Sequence, residues 1–246
     1  MGSISIDQDR VIVLSSKPHG DQTRVIRVFS RELGVVPLWV RLGTGKKRQA
    51  GLWHPGALLE VSGLKRKGSE GLFRFNEVHR VVMFEKLISE VRRSSVAFFL
   101  SEVVLKTLPE ESSHPEVFDL FWDTLTRLEN MPHTGWVHVQ FLGQLIGLLG
   151  LAPMLEAPEM REGRGLDLQT GEWMDGVFED EDHLGPELAT WFVHWTMPET
   201  ALDAPPKLSI SERRRLVLGQ VRYLQHHLSG PKTIQSYDVL ESIFSS

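Results

Sequence analysis

The chain has 246 residues, of which 41% are hydrophobic and 24% charged, a composition typical of globular proteins with enough residues to bury a core. It has no cysteine, which excludes disulfides, thiolate zinc sites, iron–sulfur clusters and a cysteine nucleophile. The net charge of −5 conceals an asymmetry. Residues 1–93 carry 17 Lys and Arg against 9 Asp and Glu, and residues 94–246 carry 10 against 23. This asymmetry favours a polyanion partner for the basic part, although docking of the two parts on each other is the alternative.

No apolar run approaches the roughly 20 residues that span a bilayer. The first residues lack the basic and apolar regions of a secretory signal. We therefore expect a cytoplasmic protein without a membrane partner.

Residues 9–84 have the pattern of a small β domain. Apolar and β-branched runs predict five strands at about 10–14, 23–30, 35–42, 57–62 and 71–81, with turn residues between them. Five short strands are the strand count of the OB-fold, a barrel that often binds oligonucleotides. We predict an α+β protein: an OB-fold nucleic-acid-binding domain over residues 1–84, followed by an α-helical domain over residues 85–246.

After residue 84 the apolar period becomes helical. Helices are expected around residues 96–104, 115–128, 136–149, 186–195 and 209–228, with a last amphipathic helix near the end. The third helix is apolar on nearly all sides and contains Gly143 and Gly147, which indicates a buried helix with close neighbours. Residues 151–182 form a polar insert, in which Leu166–Met174 resembles a tight hairpin that turns at Gly171.

Basic clusters in the β region are the strongest functional signal. They lie along the second strand, in a Gly-flanked loop, at the tip of the hairpin between strands four and five, and on strand five. The candidate DNA-binding residues are Arg24, Arg27, Arg31, Lys46, Lys47, Arg48, Lys65, Arg66, Lys67 and Arg74. Their charges can neutralise phosphates and release counterions. Four aromatic residues between them, Trp39, Trp53, Phe73 and Phe75, are candidates for stacking on unpaired bases or for the barrel core.

Motifs for catalysis are weak in this sequence. Gly45-Lys46 does not complete a phosphate loop, because Val40 and Lys47 stand where that motif needs Gly and Ser or Thr. No HExxH or GxSxG motif is present, and the histidines do not share a helix face at metal-ligand spacing. We expect no catalytic residue, no metal and no cofactor.

The order of the N-terminal motifs resembles the RecO recombination-mediator family. Residues 13–34 contain an extended strand, a Pro-x-Gly turn at Pro18–Gly20, an Arg-bearing strand and the turn Ser30-Arg31-Glu32-Leu33-Gly34. Residues 45–52 look like that family's basic loop leading to an Ala-Gly step. The resemblance then covers the whole chain. Many members carry a four-cysteine zinc site in the insert, so this cysteine-free chain is similar to the zinc-free branch.

The resemblance implies a non-enzymatic DNA repair factor, cytoplasmic and associated with the bacterial nucleoid. Such proteins bind single- and double-stranded DNA, anneal complementary strands, contact single-stranded DNA-binding protein, and act with RecR and sometimes RecF to load recombinase. An acidic partner tail with an apolar end needs a basic rim beside an apolar slot. Candidates for this rim are the arginines of the long late helix, Arg213, Arg214, Arg215 and Arg222, with a plain solvated helix face as the alternative.

Two other classes of function remain open at this point. An RNA-binding OB-fold protein of translation would share the barrel, but the acidic helical half has no obvious function in such a protein. An enzyme with an unrecognised site is the second alternative. Preference for RNA over DNA would favour the first, and a metal or nucleotide that copurifies would favour the second.

Overall fold

The computed structural model describes residues 4–19, 23–41, 51–65, 73–154, 163–197, 207–228 and 233–244. Residues 4–6, 41, 64–65, 73–76 and 244 are described by their backbone alone. The chain divides into two compact units, one formed by residues 1–131 with 234–246 and the other by residues 132–233. The predicted boundary after residue 84 marks the change from strands to helices, but the compact units divide elsewhere, since the first helices pack with the barrel.

The first unit contains a closed five-stranded barrel with the strand order β1-β2-β3-β5-β4. Its strands are β1 (Ile4–Pro18), β2 (Thr23–Ser30), β3 (Gly34–Arg41), β4 (Leu58–Lys65) and β5 (Phe73–Arg80). The predicted OB-type barrel is confirmed. β1 is longer than its apolar run predicted, because its first part pairs with β4 and its second part pairs with β2. A register shift between Ile6 and Asp9, with Gln8 at φ 53°, accompanies this double pairing.

Alternate residues of the strands fill the barrel. Val13, Ile26, Val28 and Leu38 belong to the buried interior cluster, and Trp53 joins it from the segment before β4. The residues that alternate with these along each strand face outward, and some of them are also buried. Fully buried Phe29 packs its ring edge-on against Phe118, with the centroids 5.4 Å apart. The barrel therefore has one side covered by helices, and only part of its outer surface is left for a ligand.

Among the described residues of the first unit, four helices follow the barrel strands: α1 (Lys86–Ser89), α2 (Val91–Thr107), α3 (Pro115–Asn130) and α7 (Ser236–Phe244). The predicted apolar face of α2 is confirmed, because Val96, Phe99, Leu100, Val103 and Val104 are fully buried. Glu102 of α2 accepts hydrogen bonds from the backbone N–H groups of Gln235 and Ser236, so it binds the N-terminus of α7.

The second unit is built around α4 (Val137–Leu148), α5 (Pro186–His194) and α6 (Ile210–His227). A small sheet has the strand order β7-β6-β8, formed by β6 (Gly165–Asp167), β7 (Trp173–Met174) and β8 (His183–Leu184). The predicted hairpin is β6–β7, and Gly171 adopts φ 77° in its turn. A third strand, β8, was not predicted.

The two glycines of α4 permit the close helix contact that the sequence predicted. A Cβ atom on Gly147 would lie 2.0 Å from the carbonyl oxygen of Thr196, and one on Gly143 would lie 2.6 Å from the Cβ of Trp195. The end of α5 therefore packs directly against the backbone of α4. Among the helices that the structure describes, none is long and apolar enough to cross a membrane.

Candidate nucleic-acid interface

One exposed side of the barrel is formed by the outward residues of β2 and β3 and the end of β1. Cross-strand pairing places Lys17, Val25 and Trp39 in one row, and Ser15, Arg27 and Pro37 in the next. We call these six residues the barrel face. Trp39 is 44% exposed, and its ring lies 4.6 Å from the ring of His19. Trp53 is 5% exposed and belongs to the core, so the structure separates the two tryptophans that the sequence left equivalent.

Arg24 lies at the end of the barrel next to this face. Its Nε donates to Ser16 Oγ at 2.7 Å, and its Nη2 donates to the Ser16 carbonyl at 3.0 Å. Both acceptors are neutral, so these bonds orient the guanidinium without pairing it with a carboxylate. This arrangement is suited to phosphate, which guanidinium groups bind through paired hydrogen bonds.

Arg27 and Arg31 are paired with carboxylates from the helical part of the same unit. Arg27 Nε donates to Glu110 Oε1 at 3.1 Å. Arg31, which lies in the turn after β2 and not within the strand, binds both oxygens of Asp119 at 2.9 and 2.8 Å. These hydrogen bonds lower the pKa of Asp119 below its ordinary value.

The carboxylates Glu110 and Asp119 are residues that the sequence analysis missed. Glu110 reaches the barrel because the segment after α2 pairs with Val35 of β3, where the Glu111 N–H donates to the Val35 carbonyl. Both ion pairs are partly exposed. In the pair of Arg27 and Glu110, 38% of the arginine side chain and 53% of the glutamate side chain are accessible. A phosphate must therefore compete with Glu110 for Arg27.

The remaining predicted cations are described incompletely. Lys46, Lys47, Arg48, Arg66 and Lys67 lie outside the described residues, as do the side chains of Lys65, Phe73, Arg74 and Phe75. The described strand ends nevertheless constrain where these segments leave the barrel. The first residue of β5, Phe73, pairs with Leu38 of β3. β3 itself ends at Arg41, three residues after Leu38, where it pairs with Thr23. The last described residue before position 42 and the first after position 72 thus lie on neighbouring strands, next to the barrel face.

The arginines predicted as a partner-binding rim make contacts within the second unit. Arg215 donates to the carbonyl oxygens of Phe178, Asp180 and His183, and Arg222 forms ion pairs with Glu181 and with Asp182. The guanidinium of Arg213 lies 5.5 Å from the ring centroid of Trp136, and burial lowers its pKa. Arg214 is half-buried on α6.

Arg215 and Arg222 therefore do not lie on a plain solvated helix face, which was the alternative that the sequence left open. α6 thus contacts the insert through Arg215 and Arg222, and the carboxylates of Glu181 and Asp182 are the counter-charges of Arg222. Burial raises the pKa of Asp182, but hydrogen bonds from His226, Gln169 and Arg222 outweigh it and lower this pKa to about 2. A role of the four arginines in partner binding stays a prediction.

No group of three or more His, Asp or Glu side chains that could hold a metal ion occurs in the part of the chain that the structure describes. What the described site offers chemically is phosphate binding by Lys17, Arg24 and Arg27, and base stacking on Trp39.

Comparison with known proteins agrees with this geometry. Residues 4–84 match the family model described as "Recombination protein O N terminal", and residues 88–164 match "Recombination protein O C terminal". Together these models cover more than half of the chain, on either side of the change from barrel to helices.

Curated relatives match nearly the full chain. A DNA repair protein RecO from Flavobacterium johnsoniae is 24% identical over 251 residues, covering 96% of this chain and 98% of the relative. The RecO protein of Flavobacterium psychrophilum is 25% identical over 245 residues, and that of Porphyromonas gingivalis W83 is 24% identical over 241 residues, with the same coverage. The barrel, the helices and these matches together establish that the chain belongs to the RecO family of DNA repair proteins.

Proposed function

We propose that this chain is a non-enzymatic repair factor that binds single- and double-stranded DNA and anneals complementary strands. In this proposal it acts with RecR, with single-stranded DNA-binding protein and with RecF so that recombinase is loaded. The observation that carries the proposal is the barrel face. It combines an exposed tryptophan with Lys17 and Arg27, and it lies beside the strand ends from which the two basic segments depart.

The physical basis of annealing in this proposal is charge screening. Two complementary strands repel each other through their phosphates. A surface that binds both backbones lowers that repulsion while the bases find their register. Contacts with about five phosphates would make log K fall with log salt at a slope of roughly −4. Sequence-independent contacts of this kind suit a factor that must act on any broken DNA.

The test is fluorescence anisotropy with a labelled single strand, measured over a range of salt. Changing Lys46, Lys47 and Arg48 together to Ala removes up to three phosphate contacts, so the salt slope should become shallower by about 2. The matched control changes Lys86, Arg92 and Lys207 to Ala, three exposed cations outside the barrel, and should leave the slope unchanged. Equal slopes for both triple variants would show that residues 46–48 are not contacts. A competing RNA of the same sequence that binds more tightly than DNA would favour a function in translation.

A further inference from the structure

The first unit has an open groove that runs from the end of the barrel onto α2 and α7. Its volume is about 790 Å³, within the size range of ligand pockets. Lys17, Arg24 and Arg27 line it from the barrel, Phe98 and Lys106 line it from α2, and Val239 lines it from α7. Because Lys17 and Arg27 also belong to the barrel face, the groove continues that face onto the helices.

The charges of the groove favour an anion. Among the described lining residues, two carry carboxylates, and both are already bound: Glu110 pairs with Arg27, and Glu102 accepts the backbone N–H groups at the start of α7. Within the described residues, Lys17 and Lys106 form no ion pair, and Arg24 donates to the neutral oxygen atoms of Ser16. Three cations from three separate elements, Lys17 on β1, Arg24 on β2 and Lys106 on α2, thus face the groove without a bound carboxylate.

The groove also presents an exposed aromatic ring. Phe98 is 55% exposed, although its neighbours Ala97 and Phe99 are fully buried. Its position lies off the apolar face of α2, so core packing does not account for a phenylalanine there. An aromatic ring beside cations is the arrangement that binds unpaired bases, because every base can stack while its phosphate is neutralised.

We propose that this groove binds a segment of single-stranded nucleic acid, with a base stacked on Phe98 and phosphates bound by Lys17, Arg24 and Lys106. The inference rests on the proposed DNA-binding function and extends it to residues of the acidic, helical part of the chain. A strand that crosses the barrel face enters the groove through the shared residues Lys17 and Arg27. A duplex has no unpaired base to offer, so Phe98 distinguishes single strands from duplexes.

The test uses the full chain and measures affinity for a single strand and for a duplex of the same length. Phe98→Leu keeps an apolar side chain but removes the ring, so single-strand affinity should fall about 5- to 160-fold while duplex affinity stays unchanged. Phe98→Trp should restore single-strand binding. The control is Val91→Ala, which changes an apolar residue of α2 that is 66% exposed and lies outside the groove, and it should bind like the unaltered protein.

A second pair of variants tests the charge. Lys106→Ala should make the single-strand salt slope shallower by about 0.7, the effect of one lost phosphate contact, whereas Arg92→Ala on the same helix should not change the slope. Normal single-strand binding by Phe98→Leu and Lys106→Ala would overturn the inference. If the change of Lys46, Lys47 and Arg48 still weakens binding in that case, the proposed function stands without the groove. The same two variants are also tested for binding to a peptide of six aspartates ending in phenylalanine. If they lose binding to this peptide while their DNA binding stays intact, the groove belongs to a protein partner, and the inference is likewise overturned.

Discussion

Removing the charge of Glu110 should strengthen DNA binding. In Glu110→Gln the side chain keeps its size and one oxygen acceptor, but Arg27 no longer has a carboxylate partner at 3.1 Å. Because 38% and 53% of the two side chains are accessible, the pair is a surface ion pair worth about 0.2–1 kcal/mol. A phosphate that binds Arg27 must displace that pair, so relieving the competition should increase single-strand affinity about 1.4- to 5-fold.

The assay is single-strand anisotropy at several salt concentrations. The salt slope of Glu110→Gln should be steeper by up to about 0.7, the contribution of one additional phosphate contact. Glu85→Gln removes the same charge from an exposed residue of the same unit and serves as the control. Unchanged affinity and slope in both Glu110→Gln and Arg27→Ala would refute the reasoning, because Arg27 would then lie outside the DNA interface.

Three further predictions concern the second unit. Gly147→Ala should reduce the free energy of unfolding, because the added Cβ meets the Thr196 carbonyl oxygen. The loss should lie near the upper end of the about 1–3 kcal/mol that overpacking costs. Chemical denaturation measures this loss, and equal or greater stability of the variant would contradict the close contact. The pKa of Asp182 lies at about 2, below its ordinary value, so its stabilising contribution is present above pH of about 4 and is lost as the pH falls towards 2. Asp182→Asn should therefore be less stable than the unaltered protein at neutral pH, with the difference vanishing in acid; a difference independent of pH would contradict this. Arg222→Ala should speed proteolytic cleavage within the insert relative to Lys207→Ala, and equal rates would show that Arg222 does not hold the insert.

Local patterns in the sequence were sufficient to predict most of the secondary structure. The strand runs, the apolar face of α2 and the hairpin turn at Gly171 each depend on neighbouring residues, and the structure confirms them. The long β1 was underestimated because its length follows from pairing with two strands, which its own residues do not specify.

The site was less predictable because its partners lie far apart in the sequence. Arg27 and Glu110 are 83 residues apart, and Arg31 and Asp119 are 88 residues apart, so no spacing rule connects them. Trp39 and Trp53 differ only in whether the completed barrel covers them. The helical pattern does show that Phe98 lies off the apolar face of α2. A binding role for it can be inferred only from the structure, which places it beside the cations at the end of the barrel.

The central claim is that cations of the barrel form the surface on which DNA strands meet. The most direct measurement is the rate of annealing of complementary single strands coated with single-stranded DNA-binding protein, compared between the two triple variants. We predict that changing Lys46, Lys47 and Arg48 to Ala slows annealing strongly, whereas changing Lys86, Arg92 and Lys207 leaves the rate as in the unaltered protein. Equal annealing rates for the two variants would contradict the claim.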